Sequence, residues 1–209
     1  MAVPIVLIIS DMNYFNIKEV TKMKIVCLGD SLTYGYGVRR REAWTTLLEE
    51  KFKIEVLNKG ISGDTSAGML SRLYSDVILE KPSHVIIMGG TNDFIWNLPV
   101  GQVMANITSI VFQSMGSNIK PLVGLSVPIC VEAALDKWGF AGDFKNINRD
   151  LKELNNSLKN FCKNYNIKTI DFYSEFVKKD DGGKKEYYID GIHLNPEGNK
   201  KMAHMILIK

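Results

Sequence analysis

Four short segments of this chain carry residue types at spacings that could do chemistry, and two of them hold the parts of an activated nucleophile. Gly29-Asp30-Ser31-Leu32-Thr33 follows a short apolar run. A serine opening the turn after a strand presents its hydroxyl at the mouth of a sheet, beside the free N–H groups and positive dipole end of a following helix. The same residues would serve as an ordinary Asp/Ser helix cap. Asp190-Gly191-Ile192-His193 sets an aspartate three residues before a histidine with a glycine between them. The chain can then fold back, so that the carboxylate holds one ring nitrogen and the other is free to act as a base. A chance Asp-x-x-His in a polar turn is the competing reading. Function is favoured by its place just ahead of Pro196 and a terminal helix, and by a serine still lacking a base. His84, at a strand start, and His204, on the terminal helix, read as structural.

The other two segments are rich in potential donors. In Gly89-Gly90-Thr91-Asn92-Asp93 the glycines let backbone come close to a ligand, and Asn92 offers an amide donor. In Asn58-Lys59-Gly60-Ile61-Ser62-Gly63-Asp64 a glycine N–H could point at a developing oxyanion. Both also suit plain Gly/Asn turns. No Gly-x-Ser-x-Gly elbow occurs, and Gly35-Tyr36-Gly37 lacks the third glycine of a dinucleotide fingerprint.

The elements that must position these segments are legible in the hydrophobic pattern. Short buried runs at Ile25–Leu28, Ile54–Leu57, Val85–Met88, Leu122–Leu125 and Ile167–Ile170 predict strands. Helical patterns lie between them at about 43–53, 66–80, 99–116 and 144–164, with a last helix starting near Pro196. Alternation of this kind predicts an α/β fold with a parallel sheet covered on both faces. The polar turns follow the carboxyl ends of strands, where open α/β sheets bind ligands. With strand order 2-1-3-4-5, the first and third turns flank one crevice.

Taken together, the four blocks resemble the GDSL family, also called SGNH hydrolases. The matching residues are Gly29-Asp30-Ser31-Leu32, Gly63 within Ile61-Ser62-Gly63-Asp64, Gly90-Thr91-Asn92-Asp93 and Asp190-Gly191-Ile192-His193, in the family's order from about Met23 onward. The resemblance implies a flavodoxin-like three-layer α/β/α fold and a serine esterase acting on esters or thioesters without any cofactor. It makes Ser31 the nucleophile, His193 the base and Asp190 the group orienting that base. The Ser31 N–H, the Gly63 N–H and the Asn92 amide become the oxyanion donors. A non-catalytic phosphate- or nucleotide-binding module on the same sheet is the reading from another class, but it leaves Asp190 and His193 without a task.

Composition narrows the partners. A chain of 209 residues fits one domain, and 45% hydrophobic with 23% charged residues excludes a disordered or collagen-like chain. The net charge of +3 comes from scattered pairs such as Lys178-Lys179 and Lys200-Lys201 without a basic stripe, so nucleic acid is not an expected partner. Cys27, Cys130 and Cys162 are odd in number and far apart, which argues against a disulfide framework and suits a reducing cytoplasm. No histidine or cysteine cluster has metal-ligand spacing, so no metal is expected. Val3–Ile9 is apolar but follows no positive residue and falls short of the roughly 20 residues of a membrane span. Residues 1–22 are expected to form an extension outside a domain covering 23–209.

The expected partner is a small-molecule acyl ester. Trp96 and the connection from Pro128 to Phe144, carrying Ile129, Val131, Leu135, Trp138 and Phe140, could form two walls of an acyl pocket. Ordinary loop packing is the competing reading. Tyr34, Tyr36, Tyr187 and Tyr188 could instead stack on a sugar, which keeps carbohydrate deacetylation open beside lipid, thioester and aryl-ester hydrolysis.

Overall fold

The computed structural model describes residues 23–139 and 143–207; the proposed extension 1–22 and Phe140 lie outside them. The chain alternates β1 (Lys24–Gly29), α1 (Ser31–Tyr34), α2 (Trp44–Phe52), β2 (Glu55–Gly60), α3 (Ser66–Ser71), β3 (His84–Met88), α4 (Thr91–Ile95) and α5 (Val100–Gly116). It continues with β4 (Lys120–Gly124), α6 (Val131–Trp138), α7 (Phe144–Asn164), β5 (Lys168–Ile170), α8 (Phe172–Phe176) and α9 (Pro196–Met205). The five strands are parallel, as the alternation predicts, and stand in the expected order β2-β1-β3-β4-β5.

Side chains alternate across this sheet and divide the core in two. Val26, Leu28, Val85 and Ile87 face Met69, Val103, Ile107, Leu151 and Leu154 of α3, α5 and α7. Ile25, Cys27, Ile86 and Met88 face Trp44, Leu48, Phe172, Phe176 and Met202 of α2, α8 and α9. With both faces covered, strands read as continuous apolar runs, which is why they were visible in the sequence. α7 shows the helical counterpart: Phe144, Ile147, Leu151, Leu154, Leu158 and Cys162 recur every three or four residues and are buried.

Two expectations are corrected. The helical pattern at 66–80 is interrupted: α3 ends at Ser71, and a π-helical turn follows at Tyr74–Ile78. The connection from Pro128 to Phe144 is not irregular, because it contains α6. Eight residues are too few for a helical period to stand out, and the helix is held by tertiary contacts. Cys130 N–H donates to Gly191 O at 2.8 Å, and buried Ala134 lies against the same glycine.

The register brings Gly29 of β1 opposite Gly60 of β2 and Met88 of β3, so three strands finish at one level. A side chain at Gly60 would put its Cβ 2.2 Å from the Tyr34 N, so glycine there lets α1 lie directly on the end of β2. Asp30 caps α1 by accepting the Leu32 N–H at 2.9 Å, and only 1% of its surface is exposed. Burial pushes the Asp30 carboxyl up to about 6, against the pull of the Leu32 N–H and of His193.

A carboxyl whose folded value exceeds its unfolded value of about 3.9 keeps its proton longer in the folded state. Stability is therefore expected to fall as pH rises from about 4 to about 6, by at most on the order of 3 kcal/mol. Asp30→Asn retains the capping oxygen and should flatten that slope, gaining on the parent protein at neutral pH. Urea unfolding at a series of pH values measures this. Equal slopes for both proteins would refute it.

Candidate active site

The carboxyl ends of β1, β2 and β3 and the turn ahead of α9 meet at one crevice. Ser31 is the first residue of α1, and its Oγ lies 3.0 Å from His193 Nε2. Asp190 Oδ2 lies 2.8 Å from His193 Nδ1, while Asp190 Oδ1 accepts the backbone N–H groups of Ile192 and His193 at 3.0 and 2.8 Å. Burial drives the Asp190 carboxyl up, but the His193 ring, its N–H and the Ile192 N–H outweigh it and hold it below the ordinary aspartate value. An ionised carboxylate thus fixes which imidazole nitrogen carries the proton and leaves Nε2 free to accept from serine. Asp30 is the helix cap, and Ser31, the next residue, faces the histidine.

The turn carrying Asp190 and His193 is held from outside. Gly191 has φ +90°, and a Cβ there would fall 2.2 Å from the Ala134 N, so α6 packs directly against this turn. Downstream, Asn195 caps α9 through the Gly198 N–H at 3.0 Å, with Pro196 at the first helical position.

The three residues expected to supply oxyanion donors, Ser31, Gly63 and Asn92, border the same crevice as the histidine. Among the described residues, no backbone acceptor bonds to the N–H of Ser31 or Gly63. Gly63 has φ +81°, a left-handed conformation that suits glycine. Asn92 Nδ2 donates to the Asp64 carbonyl at 2.8 Å, which orients the amide and leaves its second hydrogen for a ligand. α4 is itself fixed by buried Asp93, whose carboxylate accepts the Ser66 N–H at 2.9 Å and the Ser66 hydroxyl at 2.6 Å. Burial raises the Asp93 carboxyl despite these donors. Such an arrangement can bind a carbonyl oxygen as negative charge builds on it.

The crevice encloses about 300 Å³ between Tyr36, Ile95, Trp138, Phe144 and Ile192. The ring centroids of Tyr36 and Trp138 lie 4.3 and 6.3 Å from that of His193. Two expected wall residues are elsewhere. Trp96 is 71% exposed and does not line the crevice, because the turn of α4 directs the adjacent Ile95 inward instead. Ile129 is buried in the core, its N–H and carbonyl both paired with the Asn148 side chain. Of the four tyrosines, only Tyr36 reaches the crevice; the Tyr188 hydroxyl is spent on the Pro128 carbonyl, and Tyr187 packs on Phe176. Ile95, Phe144 and Ile192 were not singled out from the sequence, since an apolar residue near a motif carries no mark of facing inward or outward. Among the described residues no group of three or more potential metal ligands occurs, and no helix is long and apolar enough to cross a membrane.

The chain is similar to known proteins in both sequence and fold. The chain is 31% identical over 117 residues to the esterase TesA of Pseudomonas aeruginosa, covering 53% of this chain and 58% of that protein. It is 34% identical over 101 residues to thioesterase 1/protease 1/lysophospholipase L1 of Escherichia coli K12, covering 47% and 49% respectively. The matched segment thus spans about half the length of these two relatives. A solved structure assigned to the lipolytic G-D-S-L family, from Desulfitobacterium hafniense DCB-2, superposes with a TM-score of 0.76 at 26% identity over 88% of this chain and 97% of that one. A second, from Veillonella parvula DSM 2008, shares the fold with a TM-score of 0.74 at 24% identity, covering 88% and 95%. The model of the GDSL-like lipase/acylhydrolase family matches residues 27–201, and to that family the chain belongs.

Proposed function

We propose that the protein hydrolyses carboxylic esters through an acyl-enzyme on Ser31. The observation that carries this reading is the continuous hydrogen-bonded line from Ser31 Oγ through the His193 ring to Asp190. A serine hydroxyl is a poor nucleophile near neutral pH, so His193 Nε2 takes its proton as Oγ attacks the substrate carbonyl. The carbonyl oxygen becomes an oxyanion facing the Ser31 and Gly63 N–H groups and the Asn92 amide. His193 then returns the proton to the departing alcohol, leaving the acyl group on Ser31. Water, deprotonated by the same nitrogen, releases the acid and restores the serine. The scheme calls on no cofactor.

The crevice suggests which half of the ester is read most closely. His193 must reach the leaving oxygen, so rings packed beside His193 stand next to the alcohol portion of the substrate. Tyr36 and Trp138 are 45% and 41% exposed there and offer flat faces to an aromatic or sugar alcohol. This supports aryl-ester hydrolysis and, as a second reading, carbohydrate deacetylation. For compartment, the buried free thiols Cys27, Cys130 and Cys162 support a cytoplasmic location. A 26% identical relative, Bacillus subtilis YqeF, is a lipoprotein and points the other way.

Ser31→Ala and His193→Ala are each expected to nearly abolish hydrolysis of a small activated ester while the protein stays folded. Retention of most activity by either would break the assignment. Asn92→Ala should lower kcat by about 10²–10³ with a smaller change in KM; a change confined to KM would make Asn92 a ground-state binding group.

Trp138→Ala is expected to alter relative rates across esters that share an acyl group and differ in their alcohol. Ile129→Ala, a core truncation, should cost about 2–5 kcal/mol of stability and scale all substrates alike. If Trp138→Ala changed only the preference for acyl-chain length, the ring would belong to the acyl side.

A further inference from the structure

Resting on that hydrolase reading, we infer that Arg72 is the positioning residue of the oxyanion pocket, holding all three donors in place without touching substrate. Arg72 does not line the crevice, and its side chain is only 13% exposed. Its guanidinium makes four hydrogen bonds. Nη2 donates to the Gly29 carbonyl at 2.9 Å, and Nη1 donates to the Lys59 carbonyl and to Asp76 Oδ2, both at 2.8 Å. Nε donates to Asp64 Oδ2 at 2.8 Å. One rigid planar group thus ties the carboxyl ends of β1 and β2 to the turn that follows β2.

Each oxyanion donor stands one short step from a partner of Arg72. Ser31 lies two residues beyond Gly29. Gly63 directly precedes Asp64. The Asn92 amide is bonded to the carbonyl of Asp64 itself. Gly63 most needs such support, since at φ +81° it has no side chain to anchor it and a Cβ there would meet nothing within 4 Å. The Arg72–Asp64 contact fixes this turn from its neighbour. A lysine carries its charge as a single point and could not hold two carbonyls and a carboxylate in one plane.

The local backbone shows the same emphasis. Helical geometry breaks at Arg72, which has φ −102° and ψ 7°, and the π-helical turn Tyr74–Ile78 follows. π turns are uncommon and concentrate at functional sites. A residue kept only for an ion pair with Asp76, four positions on, would need no such break, because that spacing already pairs on a regular helix.

The test is a double-mutant cycle on steady-state hydrolysis of a small activated aryl ester. Arg72→Gln is expected to lower kcat about 10²-fold with little change in KM, since a displacement of about 1 Å at the reacting centre costs that much. The pH at which kcat/KM rises should stay the same, because Arg72 bonds to neither His193 nor Asp190. In an Asn92→Ala background, where the pocket has already lost a donor, Arg72→Gln should cost several-fold at most. Arg72→Lys should follow the same pattern with only partial recovery, and it carries the cycle if Arg72→Gln does not fold. Equal costs in both backgrounds, a loss seen only in KM, or full activity in Arg72→Lys would overturn the inference. An inactive parent protein, or a parent whose activity survived Ser31→Ala, would instead overturn the hydrolase reading.

Discussion

The hydrogen bond between Ser31 Oγ and His193 Nε2 joins residues 162 positions apart, and much of the architecture serves to make that one contact at 3.0 Å. Ser31 is set by the end of a central strand; His193 is set by a turn beyond the last strand. The two can meet only if the sheet, α2 and α9 hold a fixed relation. The Trp44 N–H donates to Asn199 Oδ1 at 3.1 Å, and the Trp44 indole donates to the Leu32 carbonyl at 2.9 Å. One buried tryptophan therefore links the helix behind the histidine to the turn of the serine. Its burial against Phe172 and the face of the sheet that carries Ile25 and Ile86 makes that link stiff.

Around this contact the protein buries three carboxylates, Asp30, Asp93 and Asp190, each at 5% exposure or less. Each accepts backbone N–H groups from residues close by or from a facing turn, and their environments differ. Burial dominates at Asp30 and Asp93 and raises both. At Asp190 the donors win, and the carboxyl is lowered. The carboxylate beside the imidazole is thus the one kept readily charged, which is what the proposed mechanism asks of it. The other two hold α1 and α4 in position, and with them the serine and the Asn92 amide.

Much of this was legible in the sequence, for identifiable reasons. Strands buried on both faces leave apolar runs such as Ile25–Leu28, and the turns after them contain residues that strands do not tolerate. Asp190 and His193 could be paired because three residues and a glycine separate them. Contacts made through tertiary structure were not legible. α6 is too short to display a period. Trp96 and Ile95 differ by one step of a helical turn, which sends one ring to solvent and the other side chain into the crevice. Ile129 looked like a pocket residue but is claimed by Asn148 on α7. Arg72 reads as one more charged residue on an amphipathic helix, since nothing in its surroundings announces that its partners are carbonyls on two strands.

The close approach of Gly191 to α6 has a consequence for how such a site can change over time. Backbone meets backbone there, with no side chain between them to absorb a shift. The helix that offers Trp138 to the crevice and the turn that carries His193 therefore behave as one rigid piece. New substrate preferences can be written onto the outward positions of α6, where Leu135 and Trp138 are about half exposed. Sliding or re-angling the helix would drag the histidine away from the serine. The recognition surface can be repainted, but the wall that bears it cannot be moved.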